Sequence, residues 1–151
     1  MKFLPGLATA AVLAAILPGT ASAAPCNENA CTKQLSGTVS SGMLPFVKPV
    51  KGATVKIYRA GDAVPVLLAE TTANARGQFS VRLPRTQSPA ETRYAIASSG
   101  TVEFMTVISA GDKPSLRINE VTTVASAYAM AQFFDGKQIS GKSLPLRIAA
   151  S

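Results

Sequence analysis

The chain contains no histidine and no tryptophan, and only two cysteines and eight acidic residues among its 151. Each shortage excludes a chemistry. Without histidine there is no Ser-His-Asp triad, no Cys-His pair, no imidazole base and no imidazole metal ligand. Two cysteines cannot build a four-cysteine zinc site. The acids are Glu28, Asp62, Glu70, Glu91, Glu103, Asp112, Glu120 and Asp135, with no two within three residues of each other. None forms a D-x-D-x-D-G calcium loop, and no G-x-S-x-G elbow or Walker loop is present. The reading is therefore non-enzymatic, with no cofactor and no metal. Charge is also scarce, at 15% of residues, while 47% are hydrophobic. That balance belongs to a folded domain rather than a disordered tail.

What is present begins with an export signal. Lys2 supplies a short positive start, an apolar run extends from Phe3 to Pro18, and Ala21-Ser22-Ala23 is a small-residue cleavage pattern. The apolar stretch is shorter than the ~20 residues that a membrane-spanning helix needs. The expectation is a signal peptide over residues 1–23, export to the periplasm or beyond, and no transmembrane segment after cleavage. Removing 23 of the 151 residues leaves 128, carrying a net charge of +6. A chain of that length can bury a core of its own.

Cys26 and Cys31 fall in the next segment, residues 24–32, and flank only Asn27-Glu28-Asn29-Ala30. In an oxidising compartment such a pair is expected to form a disulfide. The loop is short, so the link removes little chain entropy. A redox or metal role would want a C-x-x-C spacing or further ligands.

From Leu35 onward the pattern is that of short strands. Ala53, Val55 and Ile57 alternate with Thr54, Lys56 and Tyr58; Phe79, Val81 and Leu83 alternate with Ser80 and Arg82. Strict period-two alternation marks strands with one face buried and one wet. Similar segments run through Leu35–Ser40, Val66–Thr72, Tyr94–Ala97, Phe104–Ile108 and Leu116–Ile118. Seven short strands separated by turns predict a mainly-β, seven-strand antiparallel Ig-like sandwich.

Three blocks carry a family resemblance: Leu35-Ser36-Gly37-Thr38-Val39, Pro49-Val50-Lys51-Gly52-Ala53-Thr54-Val55, and Thr72 through Gly77-Gln78-Phe79. They resemble the G-x-V, P-x-x-G-A-x-V and T-x-x-x-G-x-F pattern of carboxypeptidase regulatory-like, or prealbumin-like, domains. The resemblance covers residues 33–119. It implies a transthyretin-like sandwich and no catalysis, since such modules accompany active domains or build surface proteins. Gly77 is expected at the positive-φ position of a hairpin turn before Phe79.

Residues 120–151 differ in kind. Between Val121 and Phe134 there is no charge and much alanine, which predicts an apolar helix over 121–134. Asn119 or Thr122 can cap its start, and Gly136 would follow its end. Val121, Val124, Ala125, Tyr128 and Gln132 share one face; Ala127, Met130, Ala131 and Phe134 share the other. Such a helix either covers an open face of the sandwich or docks onto another domain or chain. Tyr128 is expected to be buried.

The basic residues are scattered singly and the aromatics are few, so no nucleic-acid platform is expected. A basic exterior outside the cytoplasm suits an anionic envelope surface or an acidic polysaccharide. The functional expectation is an exported structural or interaction module that docks to another protein or to the cell envelope through a sheet edge or the C-terminal helix. The alternatives are a carbohydrate-binding accessory module and a small-ligand carrier of transthyretin type. The candidate ligand or interface residues are Tyr58, Tyr94, Tyr128, Met130, Phe133 and Phe134.

Overall fold

Alternating side chains become two stacked sheets. A computed structural model of the chain describes residues 32–42, 44–85, 91–108, 115–136 and 138–151. The expected signal peptide and the Cys26/Cys31 pair lie outside these residues. In the first sheet, β1 (Thr32–Ser41) is central. It runs antiparallel to β5 (Gln78–Pro84) and meets β2 (Lys48–Pro49) over two residues. On β1, Ser36–Val39 also pairs with β8 (Ser115–Ile118), in parallel. The second sheet has the order β4 (Val66–Thr72), β3 (Thr54–Arg59), β6 (Arg93–Ser99), β7 (Val102–Ile108), all antiparallel.

All seven expected strands form, and the mainly-β sandwich with a C-terminal helix stands. Two details differ. The two-residue β2 is additional, because Lys48-Pro49 carries no alternation to read. The β1–β8 pair is parallel rather than antiparallel. The chain crosses from the second sheet to the first between Ile108 and Ser115, and so arrives beside β1 running in the same direction.

Between the sheets lie Leu35, Val39, Val55, Ile57, Phe79, Leu83, Ala95, Ala97, Phe104, Leu116 and Ile118. These are the inward partners that the alternation selects. Full burial of each large one contributes about 1.5–3 kcal/mol. Gly77 takes φ +71° in the β4–β5 turn, and a Cβ there would collide with the Val39 carbonyl oxygen. Its backbone N–H donates to the Asn74 carbonyl. The turn is therefore closed to other residues on both counts.

After β8 come α1 (Glu120–Ala129), a 3-10 turn (Ala131–Phe133) and α2 (Ser143–Ala149). The first helix ends five residues short of the expected Phe134. Met130 leaves the helical conformation at φ −103°, ψ 14°, and its side chain drops into a second apolar cluster. Tertiary burial here overrides the helical preference of the alanine-rich run. Gly136 does adopt a positive φ, +99°, but as part of a tight reversal whose arms meet at the Phe134–Ile139 bridge, not as a helix C-cap.

Candidate functional site

The placement of α1 follows from a few hydroxyls. Asn119 Oδ1 accepts the Thr122 backbone N–H at 2.9 Å, and Thr122 Oγ1 accepts the Asn119 N–H at 3.0 Å. This reciprocal capping box satisfies donors that the first helical turn leaves free. One turn on, Thr123 Oγ1 accepts the Met105 N–H at 2.9 Å, and Ser126 Oγ accepts the Val107 N–H at 3.0 Å. Both strand donors point away from β6, outward from the edge of the second sheet. An exposed edge is a template for pairing with another chain. Here the helix closes it, so the β7 edge is not open for docking. At the helix start, Glu120 Oε1 accepts the Gly42 N–H at 2.9 Å and the Ser41 hydroxyl at 2.7 Å. The Gly42 bond first, and the Ser41 bond second, hold its carboxyl below the usual carboxylate range.

The outer face of the second sheet is covered too, over β6, β7 and the Tyr58 end of β3. Tyr94, Met105, Met130, Ile139 and Leu146 are buried together, with Tyr58, Ile96, Val107, Phe133 and Phe134 half-buried around them. Tyr58 and Tyr94 stack with ring centroids 5.3 Å apart and 18° between planes. The Ile139 N–H donates to Tyr94 Oη at 3.3 Å, and the Gly141 N–H donates to the Gly61 carbonyl at 2.9 Å. Burial pushes the Tyr94 hydroxyl above its ordinary pKa.

These contacts place the six candidate residues. Five belong to the second core. Tyr94 and Met130 are fully buried, Tyr58, Phe133 and Phe134 are half-buried, and none of the five offers an open aromatic platform for a sugar. Only Tyr128 faces solvent, and it does so at 85% exposure, against the expectation that it is buried. Val121 (72%) and Val124 (69%) lie with it on the outward helix face, where Ala125 is also exposed. Of the expected faces, Val121, Val124, Ala125 and Tyr128 do lie together and point outward, but Ala131, Gln132 and Phe134 fall beyond the helix end and Ala131 is exposed. The face that meets the protein is the one carrying Thr122, Thr123, Ser126 and Met130. A pair of hydroxyls three residues apart on an apolar helix, Thr123 and Ser126, was the available signal for the edge contact.

The outer face of the first sheet is bare by contrast. Its side chains follow from register. Gln78, Thr38 and Arg117 form one row, Ser80, Ser36 and Ser115 the next, and Arg82 with Gln34 a third. All are exposed except Ser36, which is half-buried. Gln34 Nε2 donates to Ser80 Oγ at 2.9 Å. No strand of this sheet contains an Asp or Glu, and its basic residues are Lys33, Lys48, Arg82 and Arg117. In the second sheet Glu70 lies 3.9 Å from Lys56, and Glu103 accepts the Ser98 hydroxyl. Among the described residues no group of three or more Cys, Asp or Glu could hold a metal ion, and no helix is long and apolar enough to cross a membrane.

No family model matches the chain, and no curated protein matches it. Among solved structures it is similar to the shaft pilin SpaA of Lactobacillus rhamnosus GG, at 14% identity and a TM-score of 0.41. That match covers 58% of this chain and 48% of the pilin, so the similarity spans about half of that protein. S.CueP is similar at 14% identity, over 57% of this chain and 58% of its own, with a TM-score of 0.40. A 9R-lipoxygenase from Cyanothece PCC8801 matches at 11% identity over 74% of this chain but 18% of its own, with a TM-score of 0.38. Likeness at this level assigns no activity, and the architecture rests on the strand pairings themselves.

Proposed function

We propose that the chain is an exported, non-catalytic structural module that docks onto another protein through the outward face of α1. The domain division that goes with this reading is a signal peptide over 1–23, a disulfide-closed segment over 24–32, a carboxypeptidase regulatory-like sandwich over 33–119 and a C-terminal helix and tail over 120–151. One observation carries the docking surface. Val121, Val124 and Tyr128 are exposed in one stripe on a helix with no charge between Val121 and Phe134. The opposite side of the helix is bonded to the β7 edge through Thr122, Thr123 and Ser126. Contiguous exposed apolar surface of this kind marks interaction sites, and tyrosine is a frequent anchor in them. Leu44 (88%) and Phe46 (76%) are exposed as well, a few residues after Gly42, whose N–H is bonded to Glu120 at the helix start.

A photo-crosslinking amino acid at position 128, compared with the same probe at position 117 on the bare sheet, tests this in the producing cells. The expected result is a discrete protein adduct from position 128 only, lost when Val124→Asp is added. Absence of a discrete adduct from position 128, or equal adducts from both positions, would remove the docking role of the helix.

A further inference from the structure

The outer face of the first sheet offers a different surface from the helix, with a different chemistry. We propose that this face is a binding site for an acidic polysaccharide. Arg82 and Arg117 sit at diagonally opposite corners of three hydrogen-bonded strands, with Gln34, Thr38, Gln78 and Ser80 between them. Arginine's planar fork matches a carboxylate bidentately, which lysine cannot do. The amides and hydroxyls between the arginines both donate and accept, as sugar hydroxyls require. No carboxylate on the sheet opposes an anionic ligand. The strands present these groups at a regular spacing, so an extended polymer can engage several at once, each weakly, and gain from multivalency.

The same face argues against other polyanions. It has no aromatic side chain on which nucleic-acid bases could stack. Apart from Pro49 and Pro84 it has no outward apolar residue, and none large enough to anchor in a lipid surface. Its specificity therefore falls on a polymer rich in both carboxylates and hydroxyls. The site is independent of α1, so its failure would leave the docking helix untouched, and the converse holds.

The test is affinity electrophoresis of the purified protein in gels containing polygalacturonate or dextran, with Kd for polygalacturonate measured by calorimetry. The double variant Arg82→Glu/Arg117→Glu is compared with Lys142→Glu/Arg147→Glu, which makes the same change in net charge at exposed positions near the covered sheet. A milder Arg82→Gln/Arg117→Gln variant guards against misfolding, checked by circular dichroism. The protein should be retarded by polygalacturonate and not by dextran. The first pair should weaken binding about tenfold or more, the glutamine pair by less, and the Lys142/Arg147 pair hardly at all. Equal losses for both charge-reversal pairs would reduce the effect to net charge and overturn the site. So would retardation by dextran equal to that by polygalacturonate, or tighter binding to single-stranded DNA or to phosphatidylglycerol vesicles.

Discussion

The two sheets of the sandwich share one core and differ in everything outside it. The first keeps a wet, polar outer face without a carboxylate. The second is covered over β6 and β7 by the chain's own C-terminal segment, which builds a second core over Tyr94 and Met105 and caps the β7 edge with hydroxyls, while its β4 side stays exposed. The strand β6 shows the consequence. From Arg93 to Ala97 it is buried on both faces except for the half-exposed Ile96, whereas β5 is buried only at its inward positions. A sandwich needs only one apolar face per sheet, so the covered sheet needs a partner, and this chain supplies that partner itself. The partner's own outer surface then becomes the next apolar face.

That contrast can be broken most severely at Arg93. Its guanidinium Nε lies 2.6 Å from Glu91 Oε1, and the two side chains are only 10% and 7% exposed. Arg93→Ala strands a buried carboxylate and should cost about 3–5 kcal/mol in denaturant unfolding. The half-exposed pair Lys56–Glu70 in the same sheet should cost about 0–1 kcal/mol when Lys56 is removed.

The second core should prove as costly to hollow as an ordinary interior. Met130→Ala and Leu146→Ala each remove a fully buried side chain and should destabilise by about 2–5 kcal/mol. Gln34→Ala on the bare sheet should stay within about 0.5 kcal/mol in the same assay. If Leu146→Ala were equally silent, the cover would not be part of the fold.

How much of this contrast the sequence carried depends on the element. Alternation in β3 and β5 named the inward residues, and Asn119 was a legible cap. The Tyr94–Ala97 and Phe104–Ile108 runs are legible as strands, while their burial on both faces depends on a cover that is distant in sequence. Continuous apolar strands are the sign of two covered faces. What covers them, Met130, Ile139 and Leu146, lies far along the chain in short irregular pieces without periodicity. The same distant contact ends α1 at Ala129 and turns Tyr128 outward. The polar outer face of the first sheet was hidden because Arg82 and Arg117 are separated in sequence and meet only through the β1–β5 and β1–β8 registers.

A smaller effect sharpens the edge. Thr123→Val with Ser126→Ala leaves the Met105 and Val107 N–H groups without their hydroxyl acceptors. Each lost acceptor should cost about 1–3 kcal/mol if the donor stays buried. Concentration-dependent association through β7 should appear in sedimentation as the edge opens.

The smallest expected effect is in pH, and it separates the two ends of the cover. Glu120 has a lowered folded pKa, so its contribution is present above the ordinary carboxylate range and is lost as pH falls through the folded value. Tyr94 has a raised folded pKa, so its contribution is present below its ordinary value of about 10 and is lost as pH rises through the folded value. A Tm-against-pH profile should fall at both limits. Glu120→Gln should flatten the acid limb, and Tyr94→Phe the alkaline one.

The C-terminal segment is an integral layer of the fold, and amide hydrogen exchange at Met105 and Val107 tests that most directly. Both N–H groups face the outer side of an edge strand and are protected only by the Thr123 and Ser126 hydroxyls of α1. The structure predicts exchange as slow as in the central strand β3, with opening close to global unfolding. Exchange at these two amides as fast as at the exposed Gly100 turn would contradict it.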